Sequence, residues 1–423
     1  MKRISTLIAL AVAGTVVPSQ FVSAADPEVP SVIEVVVRVD TAPAEPTVSA
    51  TAFDQLLADN SAWVVEPLIE SRGVYLLARS VLVKEDKFVE ETEKEAEDWA
   101  KKIEKDDLVL WSEPEREVTV EDRRFHAWPN SGHEDAIEED LADQHAFAGL
   151  SLGTVHQVAT GAGTVVAVLD TGVDAAHPML AGRLLPGYDL IDDDPDPLDV
   201  ANGVDDDGDG LVDEAYGHGT FVAGVVAQIA PDAAILPVRV LDADGRAELH
   251  TVIEGIDLAI EQGANVINMS FGLLGDHEPR PLKEALKRAK HADVVVVGAA
   301  GNDGTDKRAY PASESSVVGV GALDVDAPDD VAGFSCHGKW VKVAAPGVDV
   351  VSALPGGRYA RWAGTSIATP VVAGQVALLV EVDPTAREND VRKALDKSAR
   401  KMVGKSRADR GAIDILLSLD EIV

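Results

Sequence analysis

Residues 163–172 have the sequence GTVVAVLDTG, and its apolar part, Val165 to Leu169, contains no alternating polar residue. A strand with one face in water alternates between apolar and polar residues, so this run predicts a strand buried on both faces of a parallel sheet. The runs Ala264 to Met269 and Val294 to Gly298 have a similar character. These three segments place a largely buried parallel sheet at the centre of the fold.

Helical patterns separate the apolar runs, at Glu248 to Gln262, Arg280 to His291 and Gln375 to Val382. Strands that alternate with helices are typical of a sheet covered on both faces. We therefore predict a three-layer α/β domain over residues 146–423.

The N-terminal part has a different pattern, with predicted strands at Ser31 to Asp40, Gly73 to Arg79 and Leu108 to Trp111. Between them, Glu85 to Lys105 predicts a charged helix with four buried positions, Phe88, Ala96, Trp99 and Ile103. This pattern indicates a small α+β domain over residues 25–115. The polar stretch 116–145 is then predicted to be an exposed linker that contains a processing site.

The first residues, Met1-Lys2-Arg3, precede an apolar run from Ile4 to Val17. The run is short and stops at Pro18, which favours a signal peptide, residues 1–24, over a membrane anchor. We expect cleavage after Ala24 and a secreted product.

The chain has 73 acidic and 37 basic residues, a formal net charge of -36. Such a charge repels nucleic acid and anionic membranes, so neither is an expected partner. Cys336 is the single cysteine, which excludes an intramolecular disulfide.

Four polar residues occupy positions suited to acyl transfer: Asp170 ends the first apolar run, His218 opens a helical run, Asn302 follows an apolar run, and Ser366 precedes a helix. Each has a simpler explanation alone, namely a strand-end turn, a capping or core histidine, an Asn-Asp-Gly turn and a helix N-cap. Together they supply a carboxylate, a base, an oxyanion donor and a nucleophile.

The motifs at 167–174 (AVLDTGVD), 217–224 (GHGTFVAG), 300–302 (AGN) and 364–370 (GTSIATP) resemble those of the subtilisin family of serine endopeptidases. The likeness extends from about residue 160 to residue 417, and the order Asp, His, Ser is that of subtilisins. It implies that Ser366 is the nucleophile, His218 the general base and acid, and Asp170 the group that orients His218. Asn302 and the N–H of Ser366 are then the oxyanion donors.

The resemblance also implies a polypeptide substrate, held by backbone pairing to two edge strands. The substrate-binding residues so implied are Gly245, Ala247, Ser270, Phe271, Gly272, Ala299 and Gly301. It further implies that residues 25–115 are an inhibitory propeptide, removed by self-cleavage between Glu115 and Ala146. Ala309 replaces a frequent glycine, and we expect a preference for apolar side chains of Leu or Met size before the cut.

Residues 192–214 contain no lysine or arginine, and their centre, residues 205–214, has the sequence DDDGDGLVDE. Closely spaced carboxylates around glycine turns suit a calcium ion, whereas the simpler alternative is a solvated acidic loop. The predicted structural calcium ligands are Asp205, Asp207, Asp209, Leu211 and Asp213.

A catalytically silent, calcium-binding secreted protein that binds peptides or acts in adhesion is the alternative function. A covalent serine-hydrolase probe separates the two. The sequence does not identify the natural substrate or the oligomeric state.

Overall fold

The computed structural model describes residues 28–39, 50–69, 74–84, 87–106, 109–120, 134–142, 144–206, 209–274, 279–324, 326–327, 330–404 and 407–423. The predicted signal peptide, residues 1–24, lies outside these residues. The fold has two parts, an N-terminal unit and a large α/β domain.

The N-terminal unit is a four-stranded antiparallel sheet with two helices. Its elements are β1 (Glu28–Val39), α1 (Ala50–Asn60), β2 (Trp63–Ile69), β3 (Val74–Lys84), α2 (Phe88–Ile103) and β4 (Val109–Pro114). The sequence predicts β1, β3, α2 and β4, but not α1 and β2. The sheet has the order β2-β3-β1-β4. Ala96, Trp99 and Ile103 of α2 are buried against it, as predicted.

The large domain is built on an eight-stranded sheet whose neighbouring strands are all parallel. Its strands and helices are β5 (Glu117–Thr119), β6 (Glu134–Ala136), α3 (Glu139–Ala142), α4 (Leu152–Val155), β7 (Val165–Asp170), β8 (Tyr188–Asp189), α5 (His218–Ile229), β9 (Ala234–Arg239), β10 (Arg246–Glu248), α6 (Leu249–Glu261), β11 (Val266–Met269), β12 (Leu273–Leu274), α7 (Arg280–His291), β13 (Val295–Ala299), β14 (Ala309–Tyr310), β15 (Val317–Leu323), β16 (Val343–Pro346), β17 (Val350–Leu354), β18 (Arg358–Trp362), α8 (Thr365–Val382), α9 (Glu388–Ser398), β19 (Gly411–Ala412) and α10 (Ile415–Ile422). The sheet has the order β19-β16-β15-β13-β11-β7-β9-β8.

Strand β7 shows how the sheet separates two hydrophobic cores. Val166 and Val168 belong to a core with residues of α5 and α8, whereas Ala167 and Leu169 belong to a second core with residues of α6 and α7. Successive side chains of a strand point to opposite faces, so a strand covered on both faces must be apolar throughout. The predicted three-layer α/β fold is confirmed.

Helix α8 is the one helix of the described chain that is long and apolar enough to cross a membrane. However, 83% of the window that passes this test is buried inside the fold. It is therefore the central helix of the core.

The prediction of an exposed linker is wrong for the two strands within residues 116–145, β5 and β6, whereas residues 137–139 are exposed as predicted. Strand β5 pairs with β10, and β6 joins the hairpin of β17 and β18. Val118 and Val120 are only 2% and 1% exposed. Their alternation with Glu117 and Thr119 is the pattern of a half-buried strand, but it is too short to stand out in a polar stretch.

Candidate active site

Three neighbouring strands bring polar residues to one edge of the sheet. In the parallel register, Leu169 of β7 lies beside Met269 of β11, which lies beside Gly298 of β13. The next residues along the three strands are Asp170, Ser270 and Ala299. The carboxyl edge of a parallel sheet is where α/β proteins bind ligands.

Asp170 holds the ring of His218. The Nδ1 atom of His218 lies 2.7 Å from Oδ1 of Asp170, and the two side chains are only 2% and 1% exposed. His218 can begin α5 here because Gly219 allows a close approach: a Cβ at this position would lie 2.1 Å from the carbonyl oxygen of Gly172. An imidazole bound to a carboxylate through Nδ1 keeps Nε2 for proton transfer.

The carboxylate of Asp199 binds residues next to Asp170 and His218, a role that the sequence did not predict. Its carboxylate accepts hydrogen bonds from the Thr220 hydroxyl at 2.6 Å, from the Gly217 N–H at 2.9 Å and from the Thr171 hydroxyl at 3.3 Å. Burial, together with the nearby charge of Asp170, raises the pKa of Asp199 to about 6, although these hydrogen bonds oppose the shift. These bonds connect Asp199 to residues next to Asp170 and His218.

Ser366 lies in the first turn of α8, directly after Thr365. Its backbone carbonyl accepts a hydrogen bond of 2.7 Å from the hydroxyl of Ser270 at the sheet edge. The helix start is thus tied to the same edge as Asp170. Backbone N–H groups of a first helical turn have no partner within the helix, so they can bind a developing negative charge.

Trp362 lies between the histidine and the serine segment. Its ring is stacked on Phe221 at 4.6 Å between centroids, and it faces His218 at 6.2 Å with an interplanar angle of 23°. Trp362 ends β18, four residues before Ser366. The histidine ring therefore packs beside the strand that leads into the serine.

Asn302 is oriented by Thr365. The Oδ1 atom of Asn302 accepts from the backbone N–H of Thr365 at 2.9 Å and from its hydroxyl at 3.0 Å. The Thr365 hydroxyl in turn accepts from the Gly301 N–H at 3.0 Å. Because the N–H and the hydroxyl of Thr365 both bind Oδ1 of Asn302, the Nδ2 group of Asn302 is turned away from these two donors. Thr365, which fixes this orientation, was not singled out from the sequence.

The predicted substrate-binding residues divide into two groups. Gly245 and Ala247 lie at β10. The others form one pocket with Ser366 and Asn302, together with Thr365; they are Ser270, Phe271, Gly272, Ala299 and Gly301.

Strand β5 of the same chain lies between these two groups. Thr119 exchanges two backbone hydrogen bonds with Gly272, at 3.1 and 3.0 Å, while the Val120 N–H donates to the Gly245 carbonyl at 2.8 Å. Val118 is paired with Ala247. An extended segment that pairs on both sides in a cleft is a common mode of peptide recognition.

Comparison with known proteins identifies the family. The profile of the subtilase family matches residues 161–412, which is more than half of the chain. The chain belongs to the subtilase family of serine endopeptidases. All four polar residues of the predicted catalytic set lie inside the matched region.

Several relatives are similar to this subtilase over a little more than half of its length. It is 42% identical to the thermophilic serine proteinase of Bacillus sp. (strain AK1) over 57% of its own length and 58% of that protein's length. It is 38% identical to thermitase of Thermoactinomyces vulgaris, over 58% of its length and 85% of thermitase, and 36% identical to subtilisin of Bacillus pumilus, over 60% and 90%. The chain thus spans less than two thirds of the first of these relatives.

In this subtilase the N-terminal unit contacts the start of two helices of the large domain. Glu113 accepts a hydrogen bond of 2.9 Å from the Arg280 N–H of α7, and Glu115 accepts one of 3.2 Å from the His250 N–H of α6. Neither helix has a side-chain cap at its own N-cap residue. Carboxylates stabilise helix N-termini, so the unit supplies the caps that α6 and α7 lack.

Three described carboxylates of the acidic loop bind backbone N–H groups of the same segment. Asp205 accepts from the Gly210 N–H at 3.0 Å, and Asp209 from the Leu211 N–H at 2.8 Å. Asp213 accepts from the N–H groups of residues 202 and 203. Within the described parts of the chain, no group of three or more His, Cys, Asp or Glu side chains is arranged to hold a metal ion. Asp207, the remaining predicted carboxylate ligand, lies outside them.

Proposed function

We propose that this subtilase is a secreted endopeptidase that hydrolyses polypeptides through an acyl-enzyme on Ser366. The observation that carries the proposal is the buried pair of Asp170 and His218, 2.7 Å apart at a sheet edge to which Ser366 is bound through Ser270. A carboxylate, an imidazole and a hydroxyl in this order form the minimal group for acyl transfer.

The chemistry follows from the side chains. His218 donates a hydrogen bond from its Nδ1–H group to Asp170 and keeps that proton. Its Nε2 therefore accepts the hydroxyl proton of Ser366 as Oγ attacks the carbonyl carbon of the substrate. The negative oxygen that forms is bound by Nδ2 of Asn302 and by the backbone N–H of Ser366. The C–N bond then breaks, and His218 returns the proton to the departing amine. Water attacks the acyl-enzyme by the same steps and releases Ser366.

A covalent serine-hydrolase probe tests this proposal. An organophosphonate probe should label one site, and peptide mapping should locate the label on Ser366. A catalytically silent peptide-binding protein would remain unlabelled. Absence of labelling in the purified, processed protein would contradict the proposal.

We also propose that the N-terminal unit is an intramolecular inhibitor. Its support is β5, which directly follows the unit along the chain, lies before the expected cut, and occupies the cleft between Gly245 and Gly272 with the backbone pairing that a substrate would need. The caps that Glu113 and Glu115 give to α6 and α7 hold the unit over the cleft. While the unit is present, a substrate must displace both sets of contacts.

The register of β5 indicates which bond of the chain is cut. Thr119 lies opposite Gly272 in an antiparallel bridge. A substrate polypeptide held in the same register has its second residue after the Thr119 position opposite Ser270, whose hydroxyl is bound to the Ser366 carbonyl. The carbonyl of that substrate residue is the one that we expect Ser366 to attack.

We therefore expect maturation between Glu121 and Asp122, within the range of residues 115–146 expected from the sequence. Intact-mass measurement and N-terminal sequencing of the secreted protein check it. Ser366→Ala should accumulate the uncut precursor, and cleavage of that variant at the same bond in a protease-free host would contradict self-processing. A mature N-terminus at another residue would contradict the register. Glutamate before the cut differs from the apolar preference expected from the sequence.

Calcium binding at the acidic loop remains a proposal supported by the charge of the sequence. Six carboxylates within residues 205–214 repel one another unless cations or backbone donors offset them. Calcium that binds the folded form alone would stabilise it by about 2.7 kcal/mol at a hundred times the dissociation constant.

We expect a chelator to shorten the half-life of the enzyme at elevated temperature, while activity measured briefly at low temperature persists. Thermal inactivation and melting curves with and without calcium check this prediction. The double variant Asp207→Asn with Asp209→Asn should shrink the calcium-dependent rise in melting temperature. An unchanged rise in melting temperature would show that calcium binds at another place in the protein.

A further inference from the structure

Arg246 of β10 binds the side chain of Glu117 on the strand that occupies the cleft. Nε of Arg246 lies 2.8 Å from Oε1 of Glu117, and Nη2 contacts Oε2, so both carboxylate oxygens are engaged. The third nitrogen, Nη1, donates to the backbone carbonyl of Asp206 at 2.9 Å. Bidentate pairing to a carboxylate is the geometry that arginine provides and lysine does not.

We propose that Arg246 is a specificity-determining residue, selecting polypeptide substrates with an acidic side chain where Glu117 lies, three residues before Val120 in the cleft strand. This inference rests on the proposed function, because it takes β5 as the template for a bound substrate. Once the N-terminal unit leaves, the same guanidinium faces the same position of the next polypeptide to enter the cleft.

One contact of the Arg246 guanidinium does not depend on Glu117, the hydrogen bond to the Asp206 carbonyl in the large domain. The carboxylate of Asp242 accepts from the backbone N–H of Arg246 at 2.8 Å, which fixes β10 rather than the guanidinium. The cleft therefore presents a positive charge in a chain whose formal net charge over its full length is -36.

The size of the effect follows from exposure. The side chains of Arg246 and Glu117 are 27% and 45% exposed, so water and salt screen the pair. A partly exposed ion pair of this kind changes a rate by about two- to five-fold rather than by orders of magnitude. The preference is expected to weaken at high salt.

Peptides that reproduce residues 113–126 test the inference, with Glu, Gln or Lys at the position of Glu117. We expect protein purified from full-length expression to cleave the Glu peptide with kcat/KM about two- to five-fold above that of the Gln peptide, and the Lys peptide most slowly. Arg246→Gln should remove the difference, and Arg246→Glu should favour the Lys peptide. Arg387→Glu, which makes the same charge change at another position, should keep the original order.

Equal cleavage of the three peptides would overturn the inference and leave the proposed function intact. The same Glu preference in Arg246→Gln would also overturn it, because the preference would then come from a group other than Arg246. Cleavage of none of the peptides would contradict the proposed function, and the inference with it.

Discussion

Replacing Ser366 by alanine is expected to lower the turnover of a peptide substrate by about a million-fold, the loss found when subtilisin itself loses its nucleophile. Without Oγ no acyl-enzyme forms, and His218 and Asp170 have no hydroxyl to activate. The residual rate comes from binding and from the oxyanion donors. Steady-state kinetics with a chromogenic peptide measure the effect, on variant and unaltered protein that both lack the N-terminal part and have been freed of any added or contaminating protease.

Two controls separate this loss from misfolding. The exposed Ser315, replaced by alanine, loses the same hydroxyl away from the cleft and should retain full turnover. Once an added protease has removed its N-terminal part, Ser366→Ala should have a melting temperature close to that of the processed unaltered protein, because the Ser366 contact described at the sheet edge uses its backbone carbonyl. Near-normal turnover in pure Ser366→Ala would contradict the mechanism.

The sequence correctly predicts where the four polar residues of the proposed site lie in the secondary structure. Asp170 ends β7, His218 begins α5, Asn302 follows β13, and Ser366 lies in the first turn of α8. Strands buried on both faces leave long apolar runs, so the first polar residue after such a run marks the sheet edge. Glycines beside His218 and Ser366 mark the helix starts in the same way.

Asp199 could not be recognised from the sequence, because its role depends on burial. It belongs to a segment with many acidic residues, and nothing local distinguishes it from the exposed Asp196 beside it. Its hydrogen bonds come from residues 171, 217 and 220, which are 28, 18 and 21 positions away from it along the chain. Only the three-dimensional packing brings them together.

The sequence also did not predict the structure of Glu117 to Val120. An isolated four-residue strand has little intrinsic stability, and its backbone partners, Gly245 and Gly272, follow more than 120 residues later. The pairing joins residues that are far apart in the sequence, whereas the composition of a segment describes only neighbouring residues. The polar composition of residues 116–145 therefore predicts a linker, although part of this segment is a strand between β10 and Gly272.

The chemical role of Asn302 allows a test that a purely structural role would fail. Asn302→Ala is expected to lower kcat about a hundred- to a thousand-fold with little change in KM, as removal of one oxyanion donor does in subtilisin. The reason is that Nδ2 binds an oxygen whose charge develops in the transition state, so the substrate ground state does not gain from it.

Thr365→Val is a companion variant: it removes the hydroxyl bond to Oδ1 but keeps the backbone bond, so a smaller loss of kcat is expected. Steady-state kinetics of both variants, with melting curves to confirm folding, decide the matter. A rise in KM at unchanged kcat would remove Asn302 from the oxyanion site.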